Sequence, residues 1–137
     1  MTTADRISTL LATCNFESYL EIGVRFGDTF NNVDIPFKVA VDPRFQFDVD
    51  QYRSDRVEFF SQTSDQFFAH NRRIFDLVFI DGLHTFEQTL RDFCNVITHS
   101  HDRSIIIMDD VYPTDVFSTL RRDAVKYRLL HDPDAKS

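Results

Sequence analysis

Four apolar runs of this chain end in carboxylates. Glu21 sits in Tyr19-Leu20-Glu21-Ile22-Gly23, and Asp42 closes Phe37-Lys38-Val39-Ala40-Val41. Asp81-Gly82 closes Phe75-Asp76-Leu77-Val78-Phe79-Ile80, and Asp109-Asp110 closes Ser104-Ile105-Ile106-Ile107-Met108. If the runs are parallel strands, these acids gather along one sheet edge. Open parallel sheets bind ligands outside the carboxyl ends of their strands. Each acid alone has a structural explanation, such as a turn residue at Asp42-Pro43. Their recurrence at successive run ends favours a site.

Particular chemistry follows from the spacing. Asp42 lies nineteen residues after Gly23, where an acid can accept hydrogen bonds from both ribose hydroxyls of a nucleoside cofactor. The loop before it reads E-x-G-x-x-x-G. Dinucleotide enzymes use G-x-G-x-x-G, which sets a helix N-terminus on a pyrophosphate, so a nicotinamide-binding oxidoreductase is the weaker alternative. His84 follows Asp81-Gly82, and a histidine pKa near ~6.5 suits a general base; helix capping or packing is its structural alternative. His70, His99, His101 and His131 have no comparable context. Asp81, Asp109 and Asp110 could form a carboxylate cluster for a hard cation such as Mg2+. Such a metal would orient vicinal hydroxyls and lower their pKa.

The elements that must position these groups alternate. Ile7, Leu10, Leu11 and Cys14 repeat at helical spacing. The first strand follows at Tyr19–Gly23, then a short helix expected near Gly27-Asp28-Thr29 and ended by Pro36. Phe37–Asp42 is the second strand, Arg44 to Asp55 is ambiguous, and Val57–Phe60 is the third. Thr63-Ser64-Asp65 should cap a helix running to His70. Phe75–Gly82 is the fourth strand. A helix then carries Phe86, Leu90, Phe93, Cys94 and Ile97 on its apolar face. Ser104–Asp110 is the fifth strand, and a last helix carries Phe117, Leu120, Ala124 and Tyr127. Near-continuous apolar strands between amphipathic helices imply a doubly wound, Rossmann-like α/β fold. The parallel sheet should be covered by helices on both faces, with strand order 3-2-1-4-5.

Composition narrows the partners. The 137 residues suit one domain, 1–137, with 42% hydrophobic and 27% charged residues. A net charge of −7 argues against nucleic-acid binding, which needs a basic surface. No apolar run approaches the ~20 residues of a membrane span, and the N-terminus lacks the pattern of a signal peptide. A cytoplasmic protein with a small-molecule substrate is expected. The two cysteines, Cys14 and Cys94, fall on apolar helical stripes and are expected to be buried, inert thiols. Only three glycines occur, Gly23, Gly27 and Gly82, against roughly ten for average usage. Each follows an apolar run, where a missing Cβ permits a close approach.

These residues resemble class I S-adenosylmethionine-dependent methyltransferases. Tyr19-Leu20-Glu21-Ile22-Gly23-Val24-Arg25-Phe26-Gly27 looks like the family's motif I, and Val39-Ala40-Val41-Asp42-Pro43 like its ribose-binding strand end. Ser61-Gln62-Thr63-Ser64-Asp65 resembles the segment near the adenine. Phe75 to His84 resembles the FDLVFIDG-x-H signature of a small-domain group similar to macrocin O-methyltransferase and to cephalosporin hydroxylase-like proteins. The resemblance implies that Glu21, Gly23, Arg25, Gly27 and Asp42 bind S-adenosylmethionine, with Ser64, Asp65 and Asp81. It implies methylation of a small-molecule or sugar hydroxyl, with His84 and Asp81 as catalytic residues. A noncatalytic cofactor-binding module of the same fold is the other reading.

Two departures stand out. Where the family has a Gly-Gly turn before the fifth strand, this chain has Ser100-His101-Asp102-Arg103. The family's last two strands are expected to be missing, which would leave an open sheet edge for a second copy to pair with.

Overall fold

Local capping signals start the helices. The computed structural model describes residues 1–109. Helix α1 (Thr3–Thr13) opens on a reciprocal capping box. Thr2 Oγ1 accepts from the Asp5 amide at 3.1 Å, and Asp5 accepts from the Thr2 amide at 2.7 Å. The same device at Thr63 and Gln66 opens α2 (Ser64–His70), so the cap expected at Thr63-Ser64-Asp65 is present. Thr85 caps α3 (Phe86–Thr98).

The strands are β1 (Ser18–Ile22), β2 (Phe37–Val41), β3 (Val57–Phe60), β4 (Phe75–Ile80) and β5 (Ser100–Met108). They form one sheet in the order β3-β2-β1-β4-β5, and every named pairing is parallel. The expected order and class are therefore the observed ones. Each sheet face buries its own cluster. Ile7, Tyr19, Phe30, Ala40, Phe59 and Leu77 pack on one face, beneath α1. Leu20, Val39, Val78, Phe67, Phe68 and Val96 pack on the other, beneath α2 and α3. Strand residues alternate between faces, so two-sided burial demands the continuous apolar runs seen in the sequence.

Four local expectations need correction: the helix near Gly27, the start of β5, the buried face of α3 and the burial of the cysteines. The helix expected near Gly27-Asp28-Thr29 is a single 3-10 turn at Phe30–Asn32. Pro36 disfavours helical backbone at Ile35, and buried Phe30, Val33 and Ile35 pack into the core on one face of the sheet. The ambiguous stretch from Arg44 to Asp55 is irregular apart from a 3-10 turn at Val49–Gln51. It contributes Phe45 and Phe47, whose rings lie 5.5 and 6.0 Å from that of Phe59.

Strand β5 begins at Ser100, inside the expected turn. Its pairing with β4 jumps from Phe75–Ser100 to Leu77–Ile105, so 101–104 bulge outward. Asp76 closes this bulge. His101 Nε2 lies 2.7 Å from Asp76 Oδ1, and Asp76 Oδ2 accepts from the Glu17 amide and from Ser18. Burial pushes the Asp76 carboxyl up, but these bonds together outweigh it and hold it below the usual aspartate value. A side-chain clasp thus replaces the glycine turn.

Helix α3 is rotated from its expected setting. Asp92 and Val96 are its buried residues, whereas Phe86, Leu90, Cys94 and Ile97 are exposed and Phe93 is half-buried. Neither cysteine is fully buried: Cys94 is exposed and Cys14 is half-buried at the end of α1. Among the described residues, no helix is long and apolar enough to cross a membrane. Asp110 and the expected helix through Phe117 and Tyr127 lie outside the described residues.

Candidate functional site

The carboxyl ends of β1, β2 and β4 open into a cleft of about 700 Å³, closed on one side by the start of α2 and by α3. Backbone hydrogen bonds align the strand ends beneath it. The Gly23 amide donates to Val41 O, the Asp81 amide to Ile22 O, and the Asp42 amide to Phe60 O.

The loop after β1 requires unusual backbone. Gly23, Arg25 and Gly27 all have positive φ, at 85°, 49° and 81°. A Cβ on Gly23 would collide with the backbone carbonyl of Asp81, so β1 and β4 approach as closely as they do only because it is glycine. A Cβ on Gly27 would meet the side chains of Asn31 and Phe47. Gly82 has neither demand: its Cβ would make ordinary contacts. Arg25 adopts the left-handed region without being glycine, at a cost of about 1–2 kcal/mol. In that conformation its amide donates to Asp42 Oδ2 at 2.9 Å. The Arg44 amide donates to Asp42 Oδ1 at 2.7 Å. Asp42 is 7% exposed. Two fixed donors orient its carboxylate and leave lone pairs facing the cleft.

At the opposite end, an amide and an ion pair join α2 and α3. Gln88 Nε2 lies 3.0 Å from Asp92 Oδ1, 3.2 Å from Ser64 Oγ and 3.4 Å from Asp65 Oδ1. Arg91 pairs with the other Asp65 oxygen at 2.9 Å. Asp92 is fully buried against the cleft, and burial raises its carboxyl pKa.

Glu21 is also buried, 2% exposed, beneath the loop. Tyr19 Oη donates to its Oε2 at 2.6 Å. Burial pushes Glu21 up to about 8; nearby Asp81 adds to the rise, while the Tyr19 bond and Lys38 oppose it.

Residues 20–111 match the methyltransferase domain family. The chain belongs to that family. The fold of this methyltransferase domain is also that of a solved structure from Staphylococcus aureus, provisionally assigned as a caffeoyl-CoA O-methyltransferase. The match has a TM-score of 0.63 and 16% identity, covering 96% of this chain and 74% of the other. No curated protein matches the chain.

Of the residues singled out in the sequence, Glu21, Gly23, Arg25, Asp42, Ser64, Asp65, Asp81 and His84 line the methyltransferase domain's cleft. Gly27 shapes the loop just behind it. His84 Nε2 is 3.8 Å from Asp81 Oδ1, with both side chains partly open to solvent. Asp81 and Asp109 follow the ends of adjacent strands, but the described residues contain no group of three that could hold a metal ion. Asp110, the third member of the expected cluster, lies outside them.

Sequence reasoning missed Gln88 and Asp92. Their signal was present: with Val96 they repeat at i, i+4 and i+8, the spacing of one helix face. The more apolar stripe at Phe86, Leu90, Cys94 and Ile97 concealed it. Tyr19 was read as a strand residue only, although its alternation with Glu21 places both side chains on the same sheet face.

Proposed function

We propose that this methyltransferase domain binds S-adenosylmethionine in the cleft and methylates a hydroxyl of a small molecule or sugar. The observation that carries the reading is Asp42. It is buried, held by the Arg25 and Arg44 amides, and set beside a glycine-dependent loop. That arrangement suits the two ribose hydroxyls, which need a charged acceptor with lone pairs to spare. Gly23 gives the cofactor room to approach the backbone. Ser64, Asp65 and Gln88 offer polar groups to an adenine edge, and Glu21 offers a carboxylate to the amino-acid tail. The loop leads into a 3-10 turn and not a helix N-terminus, which suits a nucleoside without a pyrophosphate.

The bound sulfonium would supply the electrophilic methyl group. The chain's residues position the partners and manage the proton. His84, at the open mouth beside Asp81, is the general base for the acceptor hydroxyl. Its side chain is 53% exposed, so a substrate can reach it without a rearrangement. Calorimetric titration with S-adenosylhomocysteine tests the cofactor site. A folded chain that takes up none of it would sink the proposal.

A further inference from the structure

We infer that Tyr19 and Glu21 form a proton-releasing receptor: a ligand that places an ammonium group in this cleft displaces one proton from the pair to solvent. The inference rests on the cofactor reading above and adds a thermodynamic signature to it. Tyr19 is fully buried, and its ring stacks near Phe30 with centroids 6.1 Å apart. Its hydroxyl occupies one oxygen of Glu21 at 2.6 Å. The other oxygen has no hydrogen-bond partner among the described residues, and Glu21 is part of the cleft wall.

The charged groups around the pair do not neutralise it. Lys38, opposite Tyr19 on β2, is committed elsewhere: its ammonium donates to Phe30 O at 2.6 Å and Val33 O at 2.7 Å. Burial lowers the Lys38 pKa, while Glu21 and Asp34 raise it. From the end of β4, Asp81 adds negative charge. From α1 the neighbouring buried side chain is apolar Ile7. Lys38 offsets only part of the burial, and no cation hydrogen-bonds the carboxyl, so Glu21 is held well above the usual carboxylate range, at a pKa of about 8. An incoming ammonium supplies the missing positive charge and favours the ionised form. Glu21 then loses its proton to solvent and accepts from the ligand, while Tyr19 keeps its own proton, since burial raises its pKa far above neutrality.

The test is calorimetry of the full chain at pH 6.5 to 7 in buffers of different ionisation enthalpy, where the ligand's own α-amino group is still charged. S-adenosylhomocysteine should release more than about half a proton per site. 5′-Methylthioadenosine has the same nucleoside without the ammonium and should release none. Glu21→Gln should abolish the release while methylthioadenosine still binds. Tyr19→Phe removes a bond that opposes the rise, so the midpoint of release against pH should move upward. A merely structural tyrosine would leave that midpoint in place. Binding of S-adenosylhomocysteine without proton release overturns the inference alone. Release that persists in Glu21→Gln also overturns it, as does an unmoved midpoint in Tyr19→Phe. Failure of both ligands to bind the wild-type chain overturns the cofactor reading as well.

Discussion

The two sides of the cleft are built differently. On the β1–β2 side, backbone does the positioning: positive φ at 23, 25 and 27 shapes the loop, and the amides of Arg25 and Arg44 hold one buried aspartate. On the side after β4, side chains dominate. Leu83 and Phe86 are 56% and 76% exposed, and His84 faces Asp81 across 3.8 Å. Backbone amides lose no rotamer freedom on binding, so the first side is preorganised. The second side is more open. The proposed methyl transfer would use that division, with a constant cofactor on the first side and a varying acceptor on the second.

Substitutions can break the comparison. Gly23→Ala should have the largest effect, because it adds a backbone collision to a disfavoured φ. We expect a loss of at least about 2 kcal/mol in urea unfolding, with no measurable S-adenosylhomocysteine binding. His84→Ala should lower kcat by about 10²- to 10⁴-fold and leave S-adenosylhomocysteine affinity unchanged. If affinity falls with kcat, the two sides are not separate. Asp42→Ala should weaken S-adenosylhomocysteine about thirtyfold or more, from about 2 kcal/mol of charge-assisted hydrogen bonds. Arg25→Gly sharpens the picture. It relieves left-handed strain but adds chain entropy, so stability should change by less than about 1 kcal/mol while affinity is kept. A large loss of affinity would mean that the arginine side chain, and not the backbone, matters there.

The buried pair beneath the loop adds a pH signature. The Glu21 pKa is raised from 4.5 to about 8. A raised pKa contributes stability that is fully present below the unfolded value and lost as pH rises through the folded one. The unliganded chain should therefore lose stability between about pH 4.5 and 8. Glu21→Gln should flatten that decline in urea melts, and an unchanged slope would reject the assignment.

Much of the site was legible before folding was considered. Strand ends are readable because apolar runs stop where the sheet ends, so Asp42 and Asp81 were legible there, while Glu21 stood out as an acid inside the apolar run of β1. Gly23 and Gly27 were legible because glycine is scarce in this chain. Gln88 and Asp92 were not, because the helix has two candidate faces and hydrophobicity favoured the wrong one. Arg25 was legible as a loop residue but not as a left-handed one, since nothing local marks a strained arginine.

The sequence by itself determined the five strands, the parallel sheet and the edge where the candidate site residues converge. Those follow from periodicity and chain reversal, which are local. The tertiary structure alone decided which face of α3 is buried, how Asp76 and His101 replace a glycine turn, and that Tyr19 holds Glu21 out of water. Each depends on residues distant in sequence meeting in space, or on burial shifting a proton. Neither effect is encoded in a local pattern.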